Sequence, residues 1–177
     1  MYVPDFLVAG DLRLRRLTHA DVTELHAYLS DRRVYESTSS DGWSIADVES
    51  LVSASIPMGD ETAFICLGIE HETELIGTVR AGSYDARNRR VELGYDLATA
   101  YWGHGYVTSA VRALLDELFA QGIFRVEATV MEGNVRSERV LERLGFRREG
   151  VLRGYKQVRG EPKDFTMFGL LSPDERK

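Results

Sequence analysis

Residues 91–131 constrain the fold of this 177-residue chain more than any other segment. Residues 91–97 (VELGYDL) read as a strand. A glycine-rich turn at 102–105 then runs directly into a long helix, on which Val107, Val111, Leu114, Leu115, Leu118 and Phe119 form one apolar stripe. Gly122 stops that helix, and residues 123–131 (IFRVEATVM) read as a second strand. A strand that returns through a helix to a parallel neighbour needs a crossover connection, so the segment predicts a parallel strand pair with a helix on its face.

The flanking pattern is different. Residues 12–17 (LRLRRL) alternate as a strand, and Thr18 starts a helix carrying Val22, Leu25, His26 and Leu29 on one face. Ser44 caps a second helix, with Asp47 at the capping-box position and Val48, Leu51 and Val52 at helical spacing. Residues 62–70 and 75–83 read as two strands of a hairpin. After the central unit, residues 135–144 read as a short helix, and 150–158 and 165–171 as strands joined by a loop at 159–164. The expected architecture is α/β (α+β): a mixed, mostly antiparallel twisted sheet of about seven strands, flanked by about four helices. We read residues 1–177 as a single domain, which suits the length.

Composition removes several classes. Cys66 is the only cysteine, so no intrachain disulfide framework exists. No stretch approaches the ~18 consecutive apolar residues of a membrane helix, and the first residues lack the basic and apolar regions of a signal peptide. The expected compartment is the cytoplasm. No His/Cys/Asp cluster has metal-ligand spacing, so no metal is expected. Net charge is −6, which argues against nucleic-acid binding. Residues 1–75 hold 5 Lys and Arg against 14 Asp and Glu, whereas residues 134–177 hold 11 against 7. An acidic first half is compatible with a cationic substrate and a basic final third with a small polyanion, although solvated faces alone would also produce this pattern.

The glycines of the turn let backbone N–H groups approach an anion, and the first turn of the following helix adds unpaired donors and a positive dipole end. Packing alone also places glycines in such turns. Two sharper nucleotide motifs are absent: there is no GxxxxGK(S/T), and Thr108 stands where a dinucleotide fingerprint needs its third glycine. The segment Trp102, Gly103, His104, Gly105, Tyr106, Val107 instead resembles the acyl-CoA pyrophosphate loop of the GNAT N-acetyltransferases, written Arg/Gln-x-x-Gly-x-Gly/Ala. Three other motifs lie in register: the Leu12-to-Asp21 start; Asn134 and Ser137 followed by Leu144, Gly145 and Phe146; and Gly150, Leu152, Arg153 and Tyr155 followed by Asp164 and Phe168. Together they resemble the Rim-type branch, which acetylates N-terminal amines of ribosomal proteins and various small amines. Trp102, His104 and Val107 depart from the usual loop residues, which are Arg/Gln, Lys and Gly/Ala.

This resemblance implies acetyl-CoA as the acyl donor, held by Leu97 through its backbone, by Trp102, Gly103, His104, Gly105, Tyr106, Val107 and Thr108, and by Asn134. It implies direct attack by a primary amine in a ternary complex. Glu92 would be the base, acting directly or through water; otherwise it is a solvated residue paired with Arg90 or Arg125. Asn134 and Ser137 would complete the catalytic set with Glu92, Ser137 donating a hydrogen bond to the departing sulfur because Leu141 occupies the position of the tyrosine acid used by many relatives. Tyr35, Trp43 and residues 37–41 would line the acceptor pocket or form a loop. A homodimer is implied by analogy. The alternatives are a non-catalytic CoA-binding sensor and an enzyme for another acyl chain or for an amine toxin. Cys66, His19, His26 and His71 are expected to be structural or solvated rather than catalytic.

Overall fold

The computed structural model describes residues 1–2, 4–56 and 62–173. Eight strands form one sheet in the order β1-β2-β3-β4-β5-β6-β8-β7. They are β1 (Phe6–Ala9), β2 (Leu12–Arg16), β3 (Ile65–His71), β4 (Glu74–Asp85), β5 (Arg90–Leu97), β6 (Arg125–Met131), β7 (Arg147–Val158) and β8 (Glu161–Leu171). The helices are α1 (Val22–Leu29), α2 (Arg32–Tyr35), α3 (Ile45–Ser55), α4 (Tyr106–Ala120) and α5 (Val135–Arg143). Every neighbouring pair is antiparallel except β5 with β6, the pair joined by the α4 crossover.

Two elements extend the expected set. β1 forms a hairpin with β2 across Gly10 and Asp11, and Gly10 takes the positive φ of +68° that this tight turn needs. The short α2 fills part of the polar stretch after α1; Asp31 caps it by accepting from the Arg33 amide at 3.0 Å. The expected loop at 159–164 shrinks to two residues. Arg159 and Gly160 both have positive φ (+51° and +80°), a type I′ geometry that joins strands with matching twist. Pro162 is tolerated inside β8 because that end of the strand pairs only with β7.

The two sheet faces are covered by different helices. On one face Ala110, Val111, Leu114 and Leu118 of α4 and Leu141 of α5 pack against Leu14, Val79, Val91 and Val126, all at 0% exposure. On the other, Leu25 and Leu29 of α1 and Val48 and Val52 of α3 pack on Cys66 and Leu75. Burying each of the Leu and Val side chains among these contributes roughly 1.5–3 kcal/mol. No helix among the described residues is long and apolar enough to cross a membrane.

The pairing of β5 with β6 positions the site. It holds for only three residues, from Arg90↔Arg125 to Glu92↔Glu127. Beyond Glu92 the strands part: β5 continues beside β4 to Leu97, and β6 continues beside β8 to Met131. A wedge opens between them, with α4 on one side and α5 on the other.

Candidate active site

A cavity of about 310 Å³ occupies this wedge. Its floor is the end of β5, where Tyr95, Asp96 and Leu97 reach it. The Ala98 amide donates to Ile76 O on β4 at 2.8 Å. Because strand amides alternate in direction, the Tyr95 and Leu97 amides point the other way, into the wedge that β6 has vacated. The Leu97 carbonyl accepts from Trp102 Nε1 at 2.9 Å, which fixes the indole at the cavity wall.

One wall is the glycine turn and the start of α4. Gly103 and Gly105 have φ of +87° and +83°, and a Cβ at either would meet nothing within 4 Å. The turn is therefore open where a ligand would approach. The first backbone bond of α4 runs from Ser109 N to Gly105 O. The Tyr106, Val107 and Thr108 amides consequently lack helical partners, and all three residues line the cavity. His104 does not line it; its ring stacks on Tyr106 with centroids 5.5 Å apart. The Tyr106 hydroxyl lies 3.2 Å from His71 Nε2, which is 3.1 Å from Asp11 Oδ2. His71, expected to be solvated in a turn, instead ends β3 and holds the first residue of α4, with its side chain only 19% exposed. The reason is tertiary: the β1–β2 and β3–β4 turns converge beneath α4.

The opposite wall is α5. Asn134 caps it by accepting from the Ser137 amide at 3.2 Å, and its Nδ2 donates to Ser37 O at 2.9 Å. Both ends of the amide are therefore engaged, one on the helix and one on the segment after α2. The Ser137 carbonyl accepts from the Tyr95 hydroxyl at 3.1 Å, and burial pushes the Tyr95 phenol well above its ordinary range, so it remains a donor. Asn134 and Ser137 both line the cavity, as do Arg136, Arg139 and Arg143.

Ser37 and Thr38 line the cavity, whereas Tyr35 packs against Gly42, and Trp43 packs against the core beneath α1 and α3. Asp96 lies beside Leu97 and is satisfied on every side. It accepts from Arg80 Nη1 at 2.6 Å, Thr78 Oγ1 at 3.0 Å and the Tyr28 hydroxyl at 2.6 Å. Burial and the Asp96 charge raise the Tyr28 phenol, and the three bonds tie α1 to β4 and β5. Cys66 is fully buried, which pushes its thiol up to about 12 and leaves it unreactive.

Glu92 sits outside the cavity lining, at the point where the strands part. Its carboxylate accepts from Thr129 Oγ1 at 3.0 Å and Ser83 Oγ at 3.4 Å. Neither neighbouring arginine takes it. Arg90 pairs with Glu127 at 3.3 Å and Asp85 at 3.7 Å, and Arg125 pairs with Glu127 at 3.1 Å and Glu149 at 2.5 Å. Among the described residues no group of three His, Cys, Asp or Glu could hold a metal.

The cavity thus offers backbone donors at one wall, cations at the other and strand amides on its floor. Residues 11–147 match the family model described as the acetyltransferase (GNAT) domain. The chain belongs to the GNAT acetyltransferases. The uncharacterized N-acetyltransferase YoaA of Bacillus subtilis (strain 168) is 30% identical over 168 residues, covering 93% of this chain and 95% of that protein. The uncharacterized N-acetyltransferase p20 of Bacillus licheniformis is 32% identical over 165 residues, covering 90% and 92%. Among solved structures, Mycobacterium smegmatis RimJ in complex with CoA-disulfide superposes with a TM-score of 0.86 at 26% identity, covering 98% of this chain and 90% of that one. The GNAT member described here is an acetyl-CoA-dependent N-acetyltransferase, and its glycine turn, free α4 amides and facing arginines suit a polyanionic donor.

Sequence reasoning missed Tyr95, Asp96 and the three arginines of α5. The arginines lie at helical spacing after Asn134, a pattern that on its own reads as a solvated face.

Proposed function

We propose that this GNAT member is Rim-type and acetylates a cationic primary amine, either a protein N-terminus or a small molecule, with Glu92 as the base. The observation that carries this reading is the state of Glu92: among the described residues its carboxylate has hydroxyl donors but no cation, while Glu127 takes both nearby arginines. A carboxylate left in that condition beside the parting strands can hold an ammonium and accept its proton, directly or through water.

Acetyl-CoA supplies the acetyl group as a thioester. The Tyr106, Val107 and Thr108 amides would hold its pyrophosphate, with Gly103 and Gly105 leaving room for it. The Leu97 amide points into the wedge and would donate to the acetyl oxygen. The Ser137 hydroxyl would donate to the departing sulfur. Its own acidity is too weak for it to be the source of the proton. Asn134 positions rather than reacts, because its amide is occupied by the helix cap and by Ser37 O. Trp102 acts through its ring, and His104 by stacking beneath Tyr106. A cytoplasmic homodimer belongs to the same reading.

Thermal unfolding with and without acetyl-CoA is the first test. A ligand at about 100 times its Kd adds roughly 2.7 kcal/mol, which for a chain of this size is a rise of about 5–11 °C. That rise, absent with ATP or NAD, followed by CoA release on adding an amine, is the expected result. A rise with no CoA release from any amine would favour a binding module instead.

A further inference from the structure

The α5 arginines do something that the glycine turn does not do by itself. Arg136 lies over the Trp102 ring, with its Cζ 3.6 Å from the ring centroid, and the ring is fixed by its bond to Leu97 O. A planar guanidinium on an indole face is a favourable and orienting contact. Arg136 has no carboxylate partner among the described residues, and neither do Arg139 and Arg143, although Glu138 and Glu142 stand on the same helix. Most other cavity-facing charge is already spent: Asp96 is bound by Arg80. The loop itself carries no permanent cation. Trp102 occupies its first position, and the His104 ring is turned onto Tyr106 and away from the cavity.

We propose that the Trp102–Arg136 stack delivers, from α5, the cation that the turn lacks, so that Arg136 closes on the donor's pyrophosphate from the side opposite the α4 amides. Arg139 and Arg143 continue the same cationic wall. The inference rests on acetyl-CoA occupying this cavity. It adds that affinity for the phosphates is divided between two elements that meet only in the folded protein, with Trp102 as the platform that sets the guanidinium plane.

The test is a double-mutant cycle on the full chain, reading the acetyl-CoA Kd by calorimetry at two salt concentrations. Arg136→Ala should weaken binding roughly 10- to 100-fold and reduce the salt dependence. Trp102→Ala should weaken it too, and the double variant should be little worse than the poorer single one, because each residue acts through the other. Trp102→Phe keeps a ring and should retain more affinity than Trp102→Ala. Arg112→Ala, on the exposed side of α4, removes the same charge elsewhere and should leave Kd unchanged. Unliganded Tm values identify any variant that has merely lost its fold. Wild-type protein that binds no acetyl-CoA would overturn the functional reading itself. Wild-type binding with an Arg136→Ala Kd within twofold, or with additive losses from the two single variants, would overturn this inference alone.

Discussion

The Thr129 hydroxyl donates to the Glu92 carboxylate at 3.0 Å, bridging β6 and β5 where their ladder ends. That bond holds Glu92 without neutralising it. Glu92→Gln keeps the shape and an acceptor for Thr129 but removes the proposed base. We expect kcat/KM to fall by about 10²- to 10⁴-fold with the acetyl-CoA Kd unchanged, as measured by steady-state kinetics and calorimetry. An unchanged kcat/KM would remove Glu92 from the mechanism.

Ser137 and Asn134 should separate cleanly. The helix cap uses the Ser137 backbone N–H, so Ser137→Ala should leave Tm intact and lower kcat about 10-fold, through loss of one hydrogen bond to a charged sulfur. Asn134→Ala loses the cap and the tie to Ser37 O. It should cost about 1–2 kcal/mol, visible as a lower Tm, and raise the KM for the amine more than that for acetyl-CoA.

Gly105 is a backbone test of the proposed phosphate turn. Nothing lies within 4 Å of an added Cβ, so the penalty in Gly105→Ala comes from its φ of +83° alone. The expected cost is about 1–2 kcal/mol. Because that φ also aims the first α4 amides, the thermal shift with acetyl-CoA should shrink by more than the unliganded Tm does.

Asp21 gives the acid limb of stability. Burial alone would raise its carboxyl, but the bonds from Arg15 at 2.8 and 3.0 Å and from the Thr18 amide at 2.7 Å outweigh it and hold it below the ordinary value. A depressed folded pKa means that the unfolded chain binds the proton first. The contribution is therefore complete above the unfolded value of about 4 and is lost as pH falls through the lower folded one. Urea midpoints should drop below pH 4 in the native chain, and Asp21→Asn should flatten that limb while costing about 2 kcal/mol near neutrality.

What was legible in the sequence was what near neighbours along the chain decide. The α3 capping box of Ser44 and Asp47, the stripe of α4 and the alternation of β2 each depend on residues a few positions apart, and each formed where expected. The residues of the glycine turn, Asn134 and Ser137, singled out in the sequence, line one cavity in the fold. Strand edges were less legible. Whether 159–164 loops or pairs depends on β7 lying opposite, and Phe6–Ala9 becomes a strand only because β2 offers it an edge.

The sequence alone determined the crossover, the glycine turn and the residue types able to accept a proton or hold an anion. Tertiary structure decided which of them are free to do so. Arg90 and Arg125 could have reached either Glu92 or Glu127; the register of β5 on β6 gave both to Glu127 and left Glu92 with hydroxyls. Arg136 met the Trp102 ring only when α5 folded across from it, Trp102 lying 34 positions earlier in the chain. Charge pairing and stacking act over a few ångströms, and no local pattern in a chain specifies which distant segments come that close.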